Sequence, residues 1–254
     1  MLTIRDAQMK VFGGEVQSRF EADLVAFLLT HYPRESRQAG GERPLGVFVR
    51  QGITAAARFG FTTRREVRIF VNLMMMLGAD FSDDFQIPWA VAGLAPEAFP
   101  DPTLRCEQLF REALSYLETI AGKHGELIVR AMVRVRTLDL QTVPTMTGEA
   151  WASEVCAIWK RLYPEKFNFQ GQPICLTLIE YAIPRAQAYG MSDPVGRFVH
   201  ATLLFFLGIG YDRDPLHPWA GAILRDSAIP PGPTRGQRLH AAALEHVEQS
   251  LTSS

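Results

Sequence analysis

The sequence lacks several features that would assign a protein to a functional class at once. Its 254 residues carry a formal net charge of −1, so no basic surface for nucleic acid is indicated. No apolar run approaches the roughly 18 residues of a membrane-spanning helix, and the N-terminus has no apolar signal segment. We therefore expect a cytoplasmic protein that neither binds nucleic acid nor inserts into a membrane.

Cysteine is scarce, and the common catalytic signatures are missing. Cys106, Cys156 and Cys175 are widely spaced among apolar neighbours, which predicts reduced core thiols and not a disulfide or a metal pair. The histidines form no HExxH motif, and no GxSxG, GxGxxG or Walker loop is present. We therefore predict no catalytic residue, no cofactor and no metal, although a triad assembled from distant segments stays open.

What the sequence does contain is an internal repeat. The segment "LMMMLGADFSDDFQIPWA" at 73–90 returns as "LLFFLGIGYDRDPLHPWA" at 203–220, an offset of 130 residues. Self-similarity of this kind predicts two tandem, pseudo-symmetric modules that pack together. We expect modules at 1–121 and 146–254 with a connecting helix at 122–145, and we expect the two modules to superpose.

Both modules are predicted to be all-α. Apolar residues recur at helical spacing, and alternating strand patterns are scarce. Gly60 and Gly190 suit the left-handed site after a helix, and Gly78 and Gly208 suit the end of the next helix. Pro184 is expected to kink or split the helix that contains it.

Residues common to both copies are interpreted as structural. Trp89 and Trp219 are expected to anchor the two cores, each with a hydrogen-bond partner for its indole nitrogen. Asp84 and Asp214 are expected to cap a turn or the short Pro-Trp-Ala helix. The alternative for the acidic loop "DFSDD" at 80–84 is a magnesium site of a small all-α enzyme that uses a diphosphate. The second copy reads "GYDRD", with Gly210 at the position of Asp80 and Arg213 at that of Asp83, so the carboxylate cluster is not maintained.

Positions that differ between the copies are the candidates for binding a partner protein, because arginine and aromatic side chains are frequent interface anchors. They comprise arginines of one first-module helix, arginines of the connecting helix, and phenylalanines of "EKFNFQGQ", which is interpreted as a loop: Arg64, Arg65, Arg68, Arg130, Arg134, Arg136, Phe167 and Phe169. The alternatives are a solvated face for the arginines and burial in the second core for the phenylalanines.

Four segments of the first module are "IRDAQMKVF", "FEADLVAFLLTHYP", "RFGFTTRREVRIFVNLMMMLGADF" and "IPWA". With them the chain resembles an uncharacterised bacterial family that is often encoded beside type VI secretion spike and effector genes. The resemblance implies a cytoplasmic accessory, adaptor or co-chaperone whose partner is an effector or the chaperone of that effector. A cytoplasmic immunity protein that binds a toxin and the small all-α enzyme are the alternatives.

Overall fold

The protein is all-α in every part that the structure describes. The computed structural model describes residues 6–97, 99–143 and 148–252, and no strand occurs among them, which confirms the predicted fold class. The first two residues of "IRDAQMKVF" and the boundary between the connecting helix and the second module lie outside the described residues. No helix of the described ranges is both long and apolar enough to cross a membrane.

Thirteen α-helices form the described part of the chain. The first module contains α1 (Asp6–His31), α2 (Pro33–Ala39), α3 (Glu42–Arg58), α4 (Arg64–Leu77), α5 (Pro88–Leu94) and α6 (Pro102–Ala121). The connecting helix is α7 (Glu126–Arg136). The second module contains α8 (Glu149–Leu162), α9 (Pro164–Gln170), α10 (Gln172–Ala188), α11 (Pro194–Leu207), α12 (Pro218–Arg225) and α13 (Pro233–Thr252).

The same order of helices occurs twice along the chain. Helices α2 and α9 both have 7 residues, α3 and α10 both have 17, and α4 and α11 both have 14. Helices α6 and α13 both have 20 residues, whereas α1 has 26 and α8 has 14. This order is the one expected from the repeat, and superposition of the two modules stays a prediction.

Glycine ends four of these helices where the sequence predicts it. Gly60 and Gly190 follow α3 and α10 with φ of 76° and 77°, and Gly78 and Gly208 follow α4 and α11 with φ of 104° and 93°. A Cβ atom at Gly78 would lie 3.1 Å from the carbonyl oxygen of Leu207 in the other module. Both the backbone conformation and this close approach therefore require glycine at Gly78.

The prediction that "EKFNFQGQ" forms a loop is wrong. Most of the segment belongs to α9, which begins with Pro164 at its first position and ends at Gly171. Proline is favoured at the first helical position and glycine just beyond the last. The helix escapes detection because seven residues are too few to display an apolar period.

Pro184 does not split its helix. It lies inside α10, which continues from Gln172 to Ala188. A proline in a helix interior removes one backbone hydrogen bond and crowds the preceding turn. Ala182 and Ala186 on either side are fully buried, and their packing into the core holds the helix continuous through the proline.

One cluster of buried apolar side chains extends through both modules. Its largest members include Phe48, Phe70 and Phe81 of the first module and Trp159 and Phe205 of the second. The three cysteines are buried and free, as predicted. The modules are therefore packed together and not strung on a flexible linker.

Candidate functional site between the two modules

The two modules meet where the repeated Leu-Gly-to-Asp segment pairs with its own second copy. Oδ2 of Asp84 accepts a hydrogen bond from the backbone N–H of Ile209 at 3.2 Å, and Oδ2 of Asp214 accepts one from Ala79 at 3.2 Å. Asp84 and Asp214 are 130 residues apart, as are Ala79 and Ile209. Each copy thus supplies one carboxylate and one backbone donor to this junction, which explains why the segment is present twice.

Each aspartate of the junction also closes a turn in its own module. Oδ1 of Asp84 accepts from the backbone N–H of Gln86 at 2.9 Å, and Oδ1 of Asp214 accepts from that of Leu216 at 2.8 Å. The turn prediction is therefore confirmed, whereas the helix-cap alternative is wrong because α5 and α12 are preceded by other residues. Burial raises the pKa of Asp214 to about 6 and also raises the pKa of Asp84, although backbone N–H groups oppose both shifts.

A cavity of about 220 Å³ lies beside the junction. Its walls come from α2, α4, α6 and α7 on one side and from α9, α11 and α13 on the other. Both junction aspartates line it, together with apolar side chains such as Ile120 and Phe206. The volume is below the range of drug-sized pockets and suits a small organic molecule.

Lys166 of α9 is the buried cation of this cavity. It is 8% exposed, and its Nζ donates one hydrogen bond, at 3.5 Å, to the carbonyl oxygen of Phe206. The ammonium also lies 5.4 Å from the centre of the Phe205 ring, a cation–π contact. No carboxylate of the described residues lies within the 4.0 Å of an ion pair. Burial lowers the pKa of Lys166 to about 8, against the opposing charge of Asp84.

Two buried glutamines extend the junction toward α9. Gln86 donates through Nε2 to Oδ2 of Asp84 at 3.2 Å and to a carbonyl oxygen of α11 at 2.9 Å. Gln170 donates through Nε2 to Oε1 of Gln86 at 3.1 Å. The equivalent positions in the other copy hold Leu216 and Ala39. The junction therefore carries a hydrogen-bonded chain on one side only.

Besides the two shared aspartates, the cavity has polar side chains at positions where the two copies differ. Four pairs of equivalent positions line the cavity with a polar side chain in at least one copy and a different residue in the other, namely Glu35 and Lys166, Gln86 and Leu216, Ile87 and His217, and Tyr116 and His246. The copies thus share the two aspartates that build the junction and differ in other polar side chains around the cavity, including a reversal of charge between Glu35 and Lys166. This is the pattern expected of a common frame that carries a specific site.

The three carboxylates of the acidic loop have separate partners and do not converge on one point. Asp80 pairs with Arg213 at 2.5 Å and Asp83 pairs with Arg58 at 3.2 Å, while Asp84 is buried at the junction. Magnesium at a diphosphate needs carboxylate oxygens that converge on one point. Within the described ranges, no group of three histidine, cysteine or acidic side chains is placed to hold a metal ion.

The first-module arginines are attached to neighbouring helices. Arg64 and Arg68 lie over phenylalanine rings of α1, at 5.1 and 5.4 Å from the ring centres. Arg65 pairs with Glu107 of α6 at 2.6 Å. These side chains are exposed, yet each contacts its own module, and the three do not form a separate basic patch.

The connecting-helix arginines divide into two kinds. Arg134 donates to the carbonyl oxygen of Leu162 at 3.4 Å, and Arg136 pairs with Glu248 at 3.6 Å. Arg130 is exposed and makes no hydrogen bond or ion pair with the described residues. Among these three, Arg130 is therefore the arginine that makes no hydrogen bond or ion pair with the described residues, and it acts on Glu126 of the preceding turn through its charge alone.

The two phenylalanines of α9 also differ from each other. Phe167 is buried in the second core, as in the alternative interpretation. Phe169 is 42% exposed and packs edge-on against Tyr116 of the first module, with ring centres 4.9 Å apart. Phe169 thus belongs to the contact between modules and not to the second core.

Trp89 and Trp219 are half-buried, and the prediction of a hydrogen-bond partner for each indole is wrong. Their Nε1 atoms have no such partner among the described residues. Trp89 packs on Tyr116 with ring centres 5.5 Å apart, and Trp219 packs on His246 at 5.8 Å. Each indole lies against a ring of α6 or α13, and the carbonyl groups of those helices are engaged within the helix.

A second buried polar cluster lies outside the cavity. Nδ1 of His200 lies 2.5 Å from the hydroxyl oxygen of Tyr211, where the first module has Phe70 and Phe81. Burial lowers the pKa of His200 to about 4, so the imidazole is neutral at pH 7. This pair replaces an apolar contact with a hydrogen bond, and we interpret it as part of the core.

Sequence reasoning missed Lys166, Gln86 and Tyr116 as members of one site. The available signal was a change of charge between aligned copies, since Lys166 stands where the first copy has Glu35. Comparisons of the chain with protein-family models, with curated proteins and with solved structures give no match. The functional interpretation therefore depends on the contacts described above.

Proposed function

We propose that the protein is a non-catalytic accessory that binds another protein through the outer face of α7. The observation that supports this is an exposed apolar pair on that helix: Val129 and Val133 are 38% and 39% exposed. Residues four apart lie on one face of a helix, and Arg130 lies beside them with no hydrogen bond or ion pair to the described residues. Only Ala131 of α7 is fully buried, and the exposed face of the helix is formed by Glu126, Val129, Arg130, Val133 and Arg136.

The charge of α7 indicates the chemistry of the partner. The helix carries three arginines, and its acidic residue, Glu126, lies one turn before Arg130. An apolar pair flanked by arginine is complementary to a segment that presents apolar side chains among aspartates and glutamates. We therefore propose that the partner contributes an acidic amphipathic segment. The resemblance of the first module supports a type VI secretion effector, or the chaperone of one, as that partner.

A pair of double variants tests this surface. R130E/V133D places two negative charges on the outer face of α7. R43E/V47D makes the same chemical change on α3, where Arg43 is exposed and Val47 is 39% exposed, and serves as the matched control. Both variants should fold as the wild type does, because all four side chains are exposed, and circular dichroism with thermal unfolding checks this.

The assay is capture of partners from the native bacterium, followed by titration of the captured partner. We expect wild type and R43E/V47D to bind it equally, and R130E/V133D to bind at least about tenfold more weakly, since charge reversal at a complementary interface is strongly unfavourable. Equal affinity of the two double variants would show that α7 is not the surface. Turnover of a small molecule by the purified protein, with no protein captured, would overturn the accessory role.

A further inference from the structure

The cavity between the modules contains a buried cation whose donors are largely unused. An ammonium group has three N–H donors, and Lys166 uses one of them in a bond of 3.5 Å. A buried charge is costly unless it is paired and hydrogen-bonded. We infer that the cavity binds a small organic monocarboxylate with an apolar chain, and that its carboxylate pairs with Lys166. This site is distinct from the outer face of α7.

Asp84 does not fill the role of partner to Lys166. Its oxygens already accept three N–H groups, from the backbone and side chain of Gln86 and from the backbone of Ile209. It lies near enough to act on Lys166 electrostatically, yet it is beyond the 4.0 Å of an ion pair. The charge of Asp84 therefore acts from a distance and leaves the donors of Lys166 free for a ligand.

Tyr116 supplies a second donor on the same cavity. It is 5% exposed, it lines the cavity, and its hydroxyl makes no hydrogen bond with the described residues. Burial raises its pKa, so the hydroxyl stays protonated and can donate. A carboxylate has two oxygens that accept hydrogen bonds from separate donors, and charge-assisted bonds of this kind are the stronger ones.

The remaining walls specify the rest of the ligand. Leu117, Ile120 and Leu207 provide apolar surface, which suits an aliphatic chain. A cavity of about 150 Å³ holds benzene, so this one has room for about eight to ten non-hydrogen atoms. Asp84, Asp214 and Glu35 also line the cavity, so a carboxylate of the ligand is favoured only at Lys166 and a second one would be repelled. The site therefore selects a monocarboxylate.

Hexanoate and 1-hexanol form a matched pair of probes, since they share the chain and differ in the charge. Calorimetric titration and thermal unfolding of the full chain at pH 7 would compare wild type with K166M and with K160M. Methionine keeps the length of the side chain and removes the charge, and Lys160 is exposed on α8 outside the cavity. K166M should fold at least as stably as wild type, because replacing a buried charge with an apolar group is often stabilising.

We expect hexanoate to bind wild type and K160M with a Kd in the millimolar range or below and to raise their Tm. K166M should bind hexanoate at least about tenfold more weakly, the loss expected for one buried charged pair, and 1-hexanol should bind wild type at least about tenfold more weakly than hexanoate. The absence of heat and of a Tm shift with wild type at hexanoate concentrations of about 10 mM would overturn the inference. So would equal binding of hexanoate by K166M and wild type.

Discussion

The buried pair of His200 and Tyr211 should make the stability of this protein depend on pH, and the first module shows how to remove that dependence. The equivalent positions there hold Phe70 and Phe81, whose ring centres are 5.0 Å apart. The variant H200F/Y211F copies this apolar pair into the second module. Replacing both partners of a buried hydrogen bond with apolar groups of similar shape is nearly neutral, so its stability at pH 7 should be close to that of wild type.

The magnitude at lower pH follows from the lowered pKa of His200. The side chain has no solvent exposure, and burial lowers its pKa from 6.5 to about 4. Between these two values the unfolded chain binds the proton and the folded chain does not, so stability is lost as the pH falls through this window. A pH of 5 is about 1.5 units below the pKa of the histidine in the unfolded chain, so protonation of the unfolded chain lowers the free energy of unfolding by about 2 kcal/mol.

Urea unfolding at pH 7 and pH 5 measures this difference. We expect wild type to lose about 2 kcal/mol more than H200F/Y211F between the two conditions. His217 and His246, whose pKa values burial also lowers to about 4, are present in both proteins and cancel in the comparison. H124Q, which changes an exposed histidine, should follow wild type. If H200F/Y211F loses as much stability as wild type on acidification, the reasoning from burial of His200 is refuted.

Two further predictions concern the junction between the modules. D214A leaves the backbone N–H groups of Leu216, which is buried, and of Ala79, which is half-buried, without their acceptor. We expect it to lower the free energy of unfolding at pH 7 by about 2–4 kcal/mol, measured by urea unfolding, and a loss below about 1 kcal/mol would contradict this. G78A should lower the Tm more than G41A does. Both glycines have positive φ, yet only at Gly78 would the added Cβ contact the other module. Equal losses of Tm would show that this contact is unimportant.

The helix ends were largely predictable because their signals are local. Proline occupies the first position of α5 and α12, and glycine in a left-handed conformation follows α3 and α10. A residue with these backbone constraints acts on its own few neighbours, whatever the rest of the chain does. Helices α2 and α9 carry the same signals, with proline at the first position and glycine after the last. They are not predicted because each proline also fits the end of the helix before it and seven residues are too few to display an apolar period.

The candidate site could be predicted only in part. The repeat predicts that Asp84 and Asp214 cap a turn or the short Pro-Trp-Ala helix, and the turn is the alternative that the structure shows, since an aspartate commonly bonds the backbone two residues ahead. Their bonds across the junction join residues more than 120 positions apart, and no local pattern reports such a contact. Lys166 has the sequence surroundings of an ordinary surface lysine, and the contacts of its ammonium are with Phe205 and Phe206 of α11, which lie about 40 positions away in the sequence.

Two buried arginines, Arg105 and Arg235, have the surroundings expected of a charge that serves the fold. Their hydrogen-bond partners can be compared with those of Lys166. Arg105 donates to the carbonyl oxygens of Phe59 and Phe99, and Arg235 donates to those of the equivalent residues Tyr189 and Ile229. Both copies therefore contain this cation with the same partners.

Lys166 differs from these two arginines both in its occurrence, because the other copy has no cation there, and in its hydrogen-bond partners. The other copy has Glu35 at the equivalent position, and the one hydrogen bond of Lys166 is long. A buried charge that serves only the fold is expected to have its partners within the fold, as both arginines do. A buried charge that lacks them and lines a cavity is instead expected to find its partner in a ligand, and Lys166 meets both conditions.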